Sequence, residues 1–178
     1  GINAVADMVE LRAIIGALLR SDTPLQDVYP QVATLLHQEG RGLTATSCTA
    51  VFDQEEETVR YVSAGHLPPL LVSPDGSVQL LEGARLPLLG VPSSAVAPGG
   101  VAFRPASMLV LYTDGIVERR REPIDVSLDR LRHAMESTLA DHGLQPDVEL
   151  VADELLRRCL GDRPADDDVA LVVVARRP

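Results

Sequence analysis

The order of its hydrophobic periodicities constrains this chain most. Val5, Met8, Leu11, Ile15, Leu18 and Leu19 recur at helical spacing and predict an amphipathic helix over residues 2–20. Ser21-Asp22-Thr23-Pro24 stops that helix and starts a second, because Pro is tolerated at a first helical position after a Thr cap. The second helix runs to about Gln38, where Gly40-Arg41-Gly42 ends it. The character then changes. Thr44–Phe52 and Thr58–Ala64 are rich in β-branched and aromatic residues around an acidic tip, Asp53–Glu57, and predict a hairpin. Pro69–Ser73 and Ser77–Leu81 flank Pro74-Asp75-Gly76, a second hairpin with a strong turn signal. Residues 83–100, punctuated by Gly and Pro, read as loop. Met108–Tyr112 is a continuous apolar run of the kind a strand buried on both faces shows. Leu128, Leu131, Met135 and Leu139 predict a third helix ending at Gly143. Val148, Val151, Ala152, Leu155, Leu156 and Cys159 predict a fourth ending at Gly161. Val169–Ala175 reads as a last buried strand. Two helices, a run of hairpins, two helices and a strand, without strand–helix–strand alternation, predict an α+β fold of antiparallel sheets covered by helices.

Composition narrows the function. At 178 residues the chain fits one domain of ordinary size, or at most two very small ones. Every one of its 16 basic residues is Arg, and Lys is absent, which removes P-loop and Schiff-base chemistry. A net charge of −10 with 3% aromatic residues gives neither the electrostatic footprint nor the stacking platforms of a nucleic-acid binder. No apolar run approaches the roughly 20 residues of a membrane span, and no signal peptide opens the chain, so a cytoplasmic protein is expected. Cys48 and Cys159 lie in apolar periodic segments and read as buried thiols in a reducing compartment. The chain begins at Gly1 without Met, directly in a helical pattern, which reads as a piece whose upstream part is missing.

Two acidic groups stand at strand ends. Asp114 directly follows the run Met108–Thr113, and Asp166, Asp167 and Asp168 precede Val169–Ala175. If the two strands are antiparallel neighbours, both groups come to one edge of the sheet. Clustered carboxylates repel unless a cation sits among them, and oxygen ligands without His or Cys select hard ions such as Mg²⁺ or Mn²⁺. The alternative is a turn at Asp114-Gly115 and a solvated loop at Asp166–Asp168, and spacing alone leaves both open. His66 lies in a tight turn between strands, as a proton carrier or as a structural residue. His37, His133 and His142 read as surface. Arg119-Arg120-Arg121 reads as an anion-holding group or as a solvated charge run. Thr46, Ser47 and Cys48 lack a neighbouring base, and no Gly-x-Ser-x-Gly elbow occurs, which argues against a covalent hydrolase.

Four ordered blocks carry a resemblance: Tyr61-Val-Ser-Ala-Gly-His-Leu-Pro-Pro-Leu-Leu71, Leu86-Pro-Leu-Leu-Gly-Val91, Leu109-Val-Leu-Tyr-Thr-Asp-Gly-Ile-Val-Glu118 and Asp167-Asp-Val-Ala-Leu-Val-Val-Val174. Their order and spacing resemble the bacterial stage-II-sporulation-E and sigma-B-regulator (SpoIIE/RsbU) type phosphatases, within the metal-dependent PP2C-like (PPM) serine/threonine phosphatases. The resemblance covers nearly the whole chain. Gly1 resembles the last glycine of the family's Gly-Asp-Val-x-Gly-His-Gly block, next to its missing metal-binding part.

The resemblance implies an α-β-β-α sandwich of two antiparallel sheets flanked by helices, here without its N-terminal strands, in one domain spanning residues 1–178. It implies two Mn²⁺ or Mg²⁺ ions that activate a water for attack on a phosphoserine or phosphothreonine phosphorus. By that likeness Asp114 and Asp167 are metal ligands and the catalytic pair. Asp168 stands where relatives have Asn or Asp, and Gly1 adjoins the missing motif. Gly115 lets the backbone pass close to the metal site. The family's other ligands lie upstream of Gly1, so the chain as written is expected to bind metal weakly. The implied substrate is a phosphorylated STAS-type anti-anti-sigma protein, with an upstream sensor domain and a homodimer as further partners. The two leading helices become candidate switch elements. The alternative is a catalytically inactive PP2C-like module that binds proteins.

Overall fold

A computed structural model of the chain describes residues 2–38, 40, 42–161 and 167–177. The element order is α1 (Ile2–Arg20), α2 (Leu25–Gln38), β1 (Ser47–Asp53), β2 (Thr58–Ala64), β3 (Leu70–Val72), β4 (Val78–Leu80), β5 (Arg85–Leu86), β6 (Gly99–Ala102), β7 (Met108–Tyr112), a 3-10 turn (Asp114–Ile116), α3 (Ile124–His142), α4 (Val148–Leu160) and β8 (Leu171–Ala175). This is the expected α+β arrangement of helices and sheets. The chain divides into two compact units, residues 1–51, 59–66 and 83–100 in the first, and residues 52–58, 67–82 and 101–178 in the second.

In the first unit, α2 turns one apolar stripe inward. Val28, Tyr29, Val32 and Leu36 are buried with Leu11 of α1, Val62 and Ala64 of β2, and Leu89. The spacing of those α2 residues is the i, i+3, i+4 pattern that defines a helix face. The predicted α1 stripe is only partly realised, since Val5 and Met8 remain 58% and 62% exposed while Leu11 is buried. In the sheet here, β2 lies between β1 and β5 and also pairs with β6. The pair β2–β5 is parallel, with Ser63 opposite Arg85 and Ala64 opposite Leu86, which departs from the expected all-antiparallel sheets. The β3–β4 hairpin lies in the connection between them, and a long connection is what parallel pairing requires. Residues 83–100 are therefore not wholly loop. Strand β5 has two residues and β6 opens on two glycines, so neither carries strand propensity of its own; pairing to β2 makes them strands.

In the second unit the sheet order is β4-β3-β7-β8. Leu70 and Val72 of β3, Val110 and Tyr112 of β7, Leu131 and Met135 of α3, and Val151 and Leu155 of α4 share one buried cluster. The alternate residues Leu71 and Leu109 are buried as well. Both faces of β3 and β7 are thus covered, which is why Met108–Tyr112 is apolar without alternation. Strand β8 differs from the expected buried strand. It is last in the sheet order, only Leu171 and Val173 pack against the cluster, and Val172 is 53% exposed. Asp147 caps α4 by accepting from the Glu149 N–H at 2.9 Å. Gly143 and Gly161 end α3 and α4 as expected, with φ of 86° and 61°, a region that other residues enter at a cost.

Candidate functional site

β7 and β8 are antiparallel, with Tyr112 opposite Leu171 and Val110 opposite Val173. The residue after β7 and the residues before β8 therefore meet at one edge of the sheet, as the conditional reading of the sequence required. Thr113 secures that edge. Its N–H donates to the Ala170 carbonyl at 3.0 Å, and its hydroxyl donates to the Asp168 carbonyl at 3.0 Å while accepting from the Ala170 N–H at 2.8 Å. The chain then turns sharply, because the Asp114 carbonyl accepts from Val117 N–H at 2.9 Å and Glu118 N–H at 2.7 Å. Asp114 is exposed at the start of this turn, and Gly115 behind it is buried.

Gly115 shows how closely the two acidic segments approach. A Cβ there would lie 2.5 Å from the Asp168 carbonyl oxygen and 2.9 Å from that of Asp167. The glycine is required by space, since its φ is not among the positive values of the chain. Asp167 and Asp168 are exposed. The Asp167 carboxylate accepts from the Asp168 N–H at 2.7 Å, and Asp168 engages Thr113 through its carbonyl. Asp114, Asp167 and Asp168 thus sit on segments in contact. Gly1 and Asp166 lie outside the described residues. The donors are all oxygen, which fits a hard divalent ion in kind. They fall short in number, because among the described residues no three His, Cys, Asp or Glu converge as a metal-holding group. The described carboxylates do not by themselves make such a site.

The other candidates take structural places. His66 belongs to the first unit, where its Nδ1 is 3.2 Å from the Thr46 hydroxyl and its carbonyl accepts from the Ser63 hydroxyl at 2.9 Å. Ser47 shares the Tyr29 hydroxyl with Thr49, at 3.0 and 2.8 Å. Burial pushes the Cys48 thiol up to about 11 and the Cys159 thiol to about 11, so neither is a thiolate at neutral pH. The arginine triplet divides: Arg119 donates to the Cys159 carbonyl at 2.8 Å, while Arg120 and Arg121 are exposed. Sequence reasoning passed over Thr113 and Arg130. Thr113 precedes the Asp114-Gly115 pair, and its contacts with Asp168 and Ala170 have no local mark in the sequence. Arg130 is a charged residue within α3, and nothing in local spacing marks its contact with Val117.

Against known proteins, the fold matches the RsbU and RsbW domains of a Mycobacterium tuberculosis protein at a TM-score of 0.85 and 24% identity, covering 99% of this chain and 50% of that one. It matches the PP2C phosphatase domain of Bacillus subtilis SpoIIE, solved with a fragment of its regulatory domain, at 0.76 and 18% identity, covering 99% and 50%. The Bacillus subtilis phosphatase domain presoaked with manganese matches at 0.64 and 18% identity, covering 93% and 71%. Protein IcfG of Synechocystis sp. is 26% identical over 133 residues, 74% of this chain and 20% of that protein. The chain thus spans half of the first solved relative and a fifth of Protein IcfG. The shared fold is that of PP2C phosphatase domains, and the family description "Stage II sporulation protein E (SpoIIE)" matches residues 1–177. By that match over nearly its full length, the chain belongs to the SpoIIE family.

Proposed function

We propose that this chain is the larger part of a single, N-terminally incomplete protein serine/threonine phosphatase domain, in which Asp114 and Asp167 supply metal-ligating oxygens. The observation that carries the reading is the close approach at Gly115, which brings the Asp114 turn against the backbone of Asp167 and Asp168. Manganese in one Bacillus subtilis relative supports Mn²⁺ or Mg²⁺ as the ion. When bound, a pair of such ions supplies an activated water and positive charge for the phosphoryl oxygens. The chain's own residues have simpler tasks. Asp114 and Asp167 present anionic oxygens at an exposed sheet edge, Gly115 keeps the two segments close, and the Thr113 hydroxyl fixes their register. Asp168 takes part through its carbonyl, and Gly1 adjoins the portion that would complete the ligand set.

The substrate in this reading is a phosphoserine or phosphothreonine on an anti-anti-sigma (STAS-type) protein in the bacterial cytoplasm, with an upstream sensor domain and a homodimer as further partners. The occurrence of RsbU and RsbW domains in one Mycobacterium tuberculosis protein supports such a regulatory setting. The test is phosphatase activity toward a phosphorylated STAS-type protein with Mn²⁺, using a protein that includes the residues preceding Gly1. Activity abolished by Asp114→Ala and by Asp167→Ala is expected. Activity that survives Asp114→Ala, or its absence from the longer protein, would overturn the reading. One observation favours a second reading, an inactive protein-binding module: the described residues do not converge as a metal-holding group. Calorimetric titration of the longer protein with Mn²⁺ separates the two, since a module of that kind gives no binding heat.

A further inference from the structure

We propose that Arg130, with Arg119, forms a guanidinium clamp that positions Asp114 at the sheet edge. The inference rests on the reading of Asp114 as a metal ligand, and its physical basis lies in the turn that follows that residue. The Val117–Glu118 peptide works in both directions: its N–H, that of Glu118, donates to the Asp114 carbonyl at 2.7 Å, and its carbonyl, that of Val117, accepts from Arg130 Nη2 at 2.8 Å. One peptide therefore separates the guanidinium from the backbone of Asp114. Arg130 Nη1 meets Glu122 Oε2 at 2.5 Å, and the Ser127 hydroxyl donates to the same oxygen at 2.6 Å. Two residues beyond Val117, Arg119 Nη2 donates to the Cys159 carbonyl at 2.8 Å, in the last turn of α4, where helix carbonyls lack intrahelical partners. The segment from Asp114 to Glu122 is thus fastened to the first half of α3 and to the end of α4.

The form of the contact also argues for orientation. Arg130 Nε is buried without a hydrogen-bond partner among the described residues, an arrangement that costs stability. The planar fork spends its two Nη groups on a backbone carbonyl and a carboxylate at once, a geometry that a Lys ammonium on a flexible stem does not hold. Ser127 and then Arg130 hold the Glu122 carboxyl below the usual carboxylate range, so the partner stays charged. Val117 and Ile116 are 1% exposed, so a shift in the clamp is passed to the turn instead of being absorbed by solvent.

The test is amide hydrogen exchange on the chain carrying Arg130→Lys, with thermal melting as the check on folding. The Val117 and Glu118 amides are expected to exchange roughly tenfold faster or more, while β7 and α4 amides change less than about twofold. A general stabilising charge would be rescued by Lys; a fork would not. Should Arg130→Lys fail to fold, Arg119→Gln carries the same criterion from the α4 side. Unchanged exchange at Val117 and Glu118 in a folded variant overturns the clamp. A parallel electron paramagnetic resonance titration with Mn²⁺ alone reads the site, with affinity expected to fall severalfold in Arg130→Lys and in Asp114→Asn. Mn²⁺ binding unaltered by Asp114→Asn overturns the ligand reading of Asp114, and the exchange data still decide the clamp.

Discussion

Replacing Gly115 by Ala tests the closest approach in the candidate site. The added methyl carbon would sit 2.5 Å from the Asp168 carbonyl oxygen, 2.9 Å from that of Asp167 and 2.9 Å from the Asp168 carbonyl carbon. All three are backbone atoms, so no side chain can swing aside. Opening the closest contact from 2.5 Å to the 3.4 Å of ordinary van der Waals distance moves the Asp167–Asp168 segment by about 0.9 Å. Thr113 holds the Asp168 carbonyl through its hydroxyl and the neighbouring Ala170 through its hydroxyl and amide, and the displacement loads these hydrogen bonds. Overpacking of this kind costs about 1–3 kcal/mol. For a chain of this length each kcal/mol lowers the melting temperature by about 2–4 °C. A loss of roughly 2–12 °C is therefore expected for Gly115→Ala, with faster exchange at the Ala170 amide. Gly100→Ala is the control, because nothing lies within 4 Å of the Cβ it would add, and it should melt within about 2 °C of the parent. A displacement near 1 Å is also enough to cost on the order of 100-fold in a positioned reaction. Unchanged melting together with unchanged Ala170 exchange in Gly115→Ala would refute the claimed contact between the two acidic segments.

Two further outcomes follow from burial and charge. With its thiol at about 11, Cys159 is ionised to only about a thousandth at pH 8, and it is 2% exposed; it should resist Ellman's reagent in the native chain and react fully in guanidinium chloride. Rapid native modification of Cys159 would contradict the packing of α4. Arg157 first, and then Arg158, hold the Glu154 carboxyl at about 2, so it is depressed from 4.5 on folding. The stability difference between the parent and Glu154→Gln should be fully present above pH 5 or so and vanish as pH falls from 4.5 toward 2. A difference that grows in that window would reverse the sign and exclude the ion pair as its origin.

The elements that carry their own periodicity were legible from the sequence. α2, α3 and α4 bury the residues their 3.6 spacing selects, and β7 is apolar throughout because both its faces are covered. β5 and β6 were not legible, since pairing to β2 supplies what their sequences lack. β8 misled for a related reason: Val169–Ala175 reads as buried, yet sheet order leaves Val172 at an edge, and order is not written in a strand's own residues. At the site, the meeting of Asp114 with Asp167 and Asp168 followed once antiparallel pairing was assumed. The means of holding them did not. Thr113 and Arg130 act across 57 and 13 residues of chain, and no local pattern reports a hydrogen bond at that distance.

The two halves of the acidic site belong to strands joined by the α3–α4 hairpin, whose turn at residues 143–145 is exposed. A cut in that turn leaves Asp114 on one polypeptide with β7 and α3, and Asp167 on the other with α4 and β8. Each piece then carries half of the β7–β8 ladder and half of the buried cluster, neither complete without the other. The hairpin turn is thus the natural break point for a two-piece complementation system, in which the acidic edge forms only when the fragments reassociate.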